Sequence, residues 1–130
     1  MRVLVYSDDA NTREKVRMAI GRRPAADLPL VEIVESATQP AVFKHLESGT
    51  IDVAVLDGEA VPSGGMGICR QAKDEVHDCP PIVLLIARRD DRWLANWSRA
   101  DAVVPQPLDP VVLAETVATM MRGRHLPVRS

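Results

Sequence analysis

Short apolar runs alternate along the chain with segments whose apolar positions recur every three or four residues. Ile51-Asp52-Val53-Ala54-Val55-Leu56 holds five apolar residues in six and ends abruptly in Asp57-Gly58. Such a run predicts a strand buried on both faces, as in a parallel sheet covered by helices. Arg2 to Tyr6, Ile82 to Ala87 and Ala102 to Val104 read the same way. Leu30 to Val34 predicts a further strand, and Glu32 and Glu35 interrupt its apolar character as at a sheet edge.

Helical patterns fill the intervals. Asn11-Thr12-Arg13-Glu14 has capping-box spacing with Asn11 as the cap, and Val16, Ala19 and Ile20 give an apolar stripe that Gly21 stops. Ser36 to Pro40 opens a second helix with Val42, His45 and Leu46 on one face; His45 is expected to pack there, and Ser48-Gly49 ends it. Ile68, Cys69, Ala72 and Val76 mark a third helix. A fourth carries Arg88, Arg89, Asp90, Asp91, Trp93 and Trp97. Asp109-Pro110 caps a fifth, with Val112, Leu113, Thr116, Val117 and Met120 as its buried face. Five strands alternating with five helices imply one α/β domain, a parallel sheet with helices on both faces. That domain is expected over residues 1–122, with 123–130 a frayed basic tail.

Composition narrows this picture. Aromatic residues are only 3%, so the core must be built from Val, Leu, Ile, Ala and Met. Sixteen basic and eighteen acidic residues nearly cancel, which leaves no global field to attract nucleic acid or an anionic membrane. Cys69 and Cys79 are too few for a disulfide framework and read as reduced thiols. No apolar run approaches the length of a signal peptide core or a membrane span, so a cytoplasmic location without membrane insertion is expected. His77, Asp78 and Cys79 share a turn, which is weak ground for a metal site.

The chemistry gathers at strand ends. A carboxylate at the carboxyl end of a buried parallel strand sits where open α/β sheets bind ligands. The plainer alternative is that Asp57-Gly58 only ends a strand and starts a turn. Asp8 follows the first strand and Gln106-Pro107 the fifth, so three strand ends line up. The glycine-rich stretch 58–67 is not a P-loop, because no Gly-Lys-Ser/Thr follows it.

Taken together, Val3-Leu4-Val5 followed by acids, Asp52 with Asp57, Gly65, Pro81-Ile82-Val83, Ala100-Asp101 and Gln106-Pro107 before Asp109-Pro110 resemble the receiver domain of bacterial two-component response regulators. The resemblance runs from Arg2 to about Met121. It implies a flavodoxin-like doubly wound sheet of five parallel strands in the order 2-1-3-4-5. It also implies that Asp57 stands at the phosphoacceptor position, served by a histidine kinase. Asp8, Asp57 and the backbone carbonyl of Glu59 would hold Mg²⁺.

Four positions depart from that family's pattern. Ser7 stands where the first of two metal acids is usual, with Asp9 as a candidate replacement through a water. Ile86 takes the Thr/Ser position, Val103 the aromatic position and Gln106 the lysine position. Mg²⁺ wants oxygen ligands, and a phosphoryl group wants cations and donors. These departures therefore weaken Mg²⁺ binding and disable the switch. The expectation is a stand-alone pseudo-receiver that acts by protein–protein contact without phosphorylation; the alternative is a working phosphoacceptor. An aspartyl phosphatase using Asp57 and Glu59 lacks the phosphate-binding lysine, so no enzyme is expected. A flavodoxin-like cofactor binder lacks a phosphate loop after the first strand.

The resemblance places the contact face on the fourth helix, fifth strand and fifth helix, for a protein partner or a second copy of the chain. Hydrophobicity alone turns Trp93, Leu94 and Trp97 inward. Alignment with the family turns Leu94, Ala95 and Ser98 inward and leaves Trp93 and Trp97 outward, beside Arg92, as a candidate partner surface.

Overall fold

In a computed structural model, the structure describes residues 1–88 and 92–125, with the side chains of residues 94, 95, 124 and 125 also outside the described set. Among the described residues the elements run β1 (Arg2–Tyr6), α1 (Ala10–Ile20), β2 (Glu32–Ser36), α2 (Gln39–Glu47), β3 (Val53–Asp57), α3 (Gly65–Glu75), β4 (Ile82–Ile86), α4 (Trp93–Ser98), β5 (Ala102–Pro105) and α5 (Pro110–His125). All strand pairs are parallel, in the order β2-β1-β3-β4-β5. This is the expected doubly wound, flavodoxin-like topology.

The two-residue period of a strand sends alternate side chains to opposite faces. Leu4, Tyr6, Ala54, Leu56, Leu84 and Ile86 pack on one face against Val42 and Leu46 of α2 and Ile68, Cys69 and Ala72 of α3. Val3, Val5, Val53, Val55, Val83 and Leu85 pack on the other against Val16 and Ile20 of α1 and Leu113, Val117 and Met121 of α5. Burial pushes the Cys69 thiol up to about 12.

Several expected boundaries move. β2 begins two residues later than Leu30, because its register pairs Arg2 with Glu32 and Tyr6 with Ser36. Leu30 is exposed, and Leu28 enters the core instead. The cap of α1 is Asp9, not Asn11, and its side chain accepts from the Asn11 N–H. Pro40 does lie in the first turn of α2, which Thr38 caps. On α5, Val112 is exposed, and the buried face is Leu113, Val117, Ala118 and Met121. That helix continues past Gly123 to His125; the rest of the expected tail, residues 126–130, lies outside the described set.

Two contacts fix the far end of the sheet. Asp101 Oδ2 accepts from the Ile82 N–H at 2.7 Å and from Lys73 Nζ at 2.6 Å, tying β4 to α3. Arg99, just past α4, has φ of 63°, a left-handed conformation that usually falls to glycine. Its guanidinium pairs with Asp74. No helix among the described residues is long and apolar enough to cross a membrane.

Candidate functional site

The parallel register brings the ends of β1, β3, β4 and β5 to one edge, so Ser7, Asp8, Asp57, Ile86 and Gln106 meet there as expected. Asp57 ends a strand whose residues are all buried, and it is itself only 5% exposed. A buried carboxylate needs hydrogen-bond donors. Ser7 Oγ donates to Asp57 Oδ2 at 2.8 Å, and the Glu59 N–H donates to Oδ1 at 2.9 Å. Ser7 is held in turn. Its Oγ accepts from the Asp9 N–H at 3.0 Å, and its carbonyl accepts from Arg13 Nη1 at 2.7 Å. Arg13 also pairs with Glu35 on the edge strand.

Asp8 is exposed, and its Oδ1 accepts from the Val61 N–H at 3.1 Å. The Asp9 carboxylate is engaged by the start of α1. Its Oδ1 takes the Asn11 N–H at 2.8 Å and its Oδ2 takes the Thr12 hydroxyl at 3.4 Å, so both oxygens serve the start of α1. The helix N-terminus attracts a carboxylate for its own unpaired N–H groups. Asp8, Asp57 and the Glu59 carbonyl would be the groups to hold a cation. The described residues include no group of three or more His, Cys, Asp or Glu arranged for a metal, His77, Asp78 and Cys79 included. Oxygen donors of this kind suit Mg²⁺, but as a thin set that must leave most positions to water.

Ile86, Val103 and Gln106, on or just after β4 and β5, are neutral or apolar residues. Ile86 is 1% exposed and packs into the core. Val103 packs beside the same cluster. Gln106 is half-buried between two surface pockets. Thr12, Lys15, Met18 and Leu108 share one pocket with it; Arg92, Val104, Asp109 and Val112 share the other. Among the described residues no lysine or arginine makes an ion pair with Asp57 or Asp8.

The loop after Asp57 is closely packed. A Cβ at Gly65 would lie 2.7 Å from the Asp57 carbonyl oxygen, so only glycine fits. The Tyr6 hydroxyl crosses under the loop to donate to the Ser63 carbonyl at 2.5 Å. Burial first, then the charges of Asp8 and Asp57, raise the Tyr6 pKa. Nothing in the strand pattern marked Tyr6 or Gln39 as partners of this loop. Ser7 was legible as a departure but not as a donor to Asp57.

Trp93 and Trp97 are 66% and 47% exposed, and Ser98 is buried, which is the outward register. The pair adjoins α3. With Gly64, Met66 and Gly67 it lines an apolar groove of about 380 Å³ over the start of α3. Arg70 of α3 lies 5.0 Å from the centre of the Trp97 ring and donates to the Trp97 carbonyl at 2.7 Å. Arg92 lies on the other side, toward β5 and α5. The tryptophans and Arg92 thus line separate pockets. Arg89, Asp90 and Asp91 fall outside the described residues.

No family model matches the chain. An uncharacterised response regulatory protein of Mycobacterium tuberculosis (strain H37Rv) is 55% identical over 123 residues, covering 95% of this chain and 92% of that protein. The transcriptional regulatory protein CseB of Streptomyces coelicolor is 27% identical over 122 residues, covering 92% of this chain and 49% of that one. In structure, the CheY-like receiver domain protein from Methanospirillum hungatei superposes with a TM-score of 0.72 at 18% identity, covering 95% of this chain and 94% of that one. The beryllofluoride-activated DrrB receiver domain gives a TM-score of 0.71 at 23% identity over 93% and 97% of the two chains.

Proposed function

From the premise that this chain belongs to the response-regulator family, as a receiver domain of two-component signalling, we propose that it works as a pseudo-receiver, through protein contact and without a phosphoryl switch at Asp57. The observation that carries this reading is the environment of Asp57. Both carboxylate oxygens already accept neutral donors, from Ser7 and from the Glu59 N–H, and no cation pairs with it among the described residues.

Phosphoryl transfer to a carboxylate needs an in-line approach and neutralisation of charge spread over three equatorial oxygens. Bound Mg²⁺ would supply part of that charge, held by Asp8, Asp57 and the Glu59 carbonyl. The chain's own residues contribute little more. The Gln106 amide is a neutral donor where a lysine would give a charge-assisted bond about twice as strong. Ile86 offers methyl groups where a hydroxyl would donate. Each lost donor removes about 1.5–3 kcal/mol from the transition state, about a 10- to 100-fold drop in rate.

The test is incubation of the protein with acetyl phosphate and MgCl₂, followed by intact-mass analysis. The expected result is little or no added phosphoryl mass; stoichiometric, stable labelling lost in Asp57→Asn overturns the proposal. Retention of both Asp8 and Asp57 favours the second reading, a slow phosphoacceptor served by a histidine kinase. Mg²⁺ affinity separates the two, because only the acceptor needs a tight cation site. The outward Trp93 and Trp97 form the proposed contact surface for a protein partner or a second copy, with Arg92 on the adjoining face. The reading assigns no enzymatic turnover to the chain.

A further inference from the structure

The seam between α3 and α4 carries exposed indoles with an arginine on each flank. Trp93 and Trp97 stand one turn apart on α4 and, with Met66, wall the apolar groove of about 380 Å³. The α3 side of the groove also holds Gly64 and Gly67. Gly67 is exposed, and a Cβ built there would meet no atom within 4 Å, so the wall is open to an incoming chain. Arg70 follows Met66 by one turn. Its guanidinium lies 5.0 Å from the centre of the Trp97 ring and donates through Nη1 to the Trp97 carbonyl at 2.7 Å. Arg92 precedes Trp93 and lies on the opposite flank, toward β5 and α5. Neither arginine makes an ion pair among the described residues. The whole chain carries a formal charge of -2, so this positive surplus is local to the patch.

We propose that the α3–α4 seam binds an acidic amphipathic helix of a partner protein, with apolar side chains between Met66 and the indoles and carboxylates on Arg70 and Arg92. This partner chemistry rests on the reading of the tryptophan pair as a contact surface. Indoles one turn apart match the i, i+4 spacing of apolar residues along such a helix. Glycine at Gly64 and Gly67 lets the incoming backbone come close. Arg70 is already stacked on Trp97 and tied to its carbonyl, so it loses little freedom when a carboxylate takes its other N–H groups. A basic helix would meet like charge on both flanks. Single-stranded nucleic acid also stacks on aromatics beside arginine, but it needs a continuous positive track. The neighbouring strand ends offer Asp8 and Asp57 instead, without an ion-paired cation among the described residues.

The probe is an alanine-based peptide of about 16 residues, long enough to hold a helix, with leucines at i and i+4 and glutamates beside them. A twin peptide has lysine for every glutamate. Neither contains an aromatic residue, and both tryptophans of the chain line the groove, so indole emission reads this site. The acidic peptide is expected to shift emission to the blue, shield the indoles from acrylamide and bind at least about tenfold more tightly than its twin at low salt. The gap closes at about 1 M salt. Gly67→Glu fills the open wall with a like charge and abolishes binding. Arg92→Gln weakens the acidic peptide by about threefold and leaves the twin unchanged. Circular dichroism checks the folding of both variants. Equal binding of the two peptides overturns the acidic partner alone and leaves the contact surface standing. No binding up to about 1 mM peptide overturns the proposal, as does undiminished binding in Gly67→Glu or tighter binding of oligothymidylate than of the acidic peptide. Stable labelling of Asp57 by acetyl phosphate, with peptide binding intact, would sink the pseudo-receiver reading and not this one.

Discussion

At Asp57 the deciding quantity is which donors its carboxylate already holds. Two oxygens offer about four lone-pair sites; two are taken by a hydroxyl and a backbone N–H, and no side-chain cation joins them among the described residues. Ser7 thus supplies a neutral hydroxyl donor to Asp57. On the proposed pseudo-receiver reading, restoring the chemistry requires three changes together, Ser7→Asp, Ile86→Thr and Gln106→Lys, because acid, hydroxyl and cation act on the same transferred group. The triple variant is expected to take phosphoryl from acetyl phosphate at least about 100-fold faster than the parent, read by intact mass over time. Gln106→Lys alone adds a charge without its full setting and should gain less. These positions were legible because each residue type contradicts the chemistry its place calls for. The role of Asp9 was not legible. A carboxylate beside a strand end serves a cation or a helix start equally well, and only the geometry showed α1 taking it.

Among the elements, α4 is the least regular and the most informative. It is six residues long and exposes both indoles, and it ends in Arg99 at positive φ. A non-glycine residue there costs about 1 kcal/mol, while its exposed ion pair with Asp74 returns about 0–1 kcal/mol. Arg99→Gly is therefore expected to raise stability by about 0.5 kcal/mol, or roughly 2 °C in melting temperature. Adding Asp74→Ala to that variant should change nothing further; calorimetry on both checks this. The outward register came from the family alignment, since hydrophobicity alone would have buried both tryptophans. Strand–helix alternation foresaw the parallel sheet, and the resemblance alone foresaw the strand order. The start of β2 was not, because Leu30, Val31, Ile33 and Val34 read as one apolar run, whereas pairing with β1 selects Glu32–Ser36.

Over the whole molecule, sheet and helices form two apolar cores back to back, and their composition follows from the chain's shortage of aromatics. Burial on both faces of the strands was readable beforehand; which residue joins which core came from the structure. What escaped was the set of long-range polar ties: Tyr6 to Ser63, Ser63 to Gln39, and Arg122 to Asp27, where the guanidinium holds the Asp27 carboxyl below its ordinary range. Such pairs join residues far apart in sequence and leave no periodic trace. The core also carries a natural stopwatch. Cys69 is fully shielded, and its thiol is held up to about 12, whereas Cys79 lies half-buried outside the last turn of α3. At neutral pH an alkylating reagent should mark Cys79 quickly and Cys69 only during rare excursions that part α3 from the sheet. The lag between first and second adducts in a mass spectrum would then date those excursions without any denaturant, and equal labelling rates at the two thiols would show that the shield leaks.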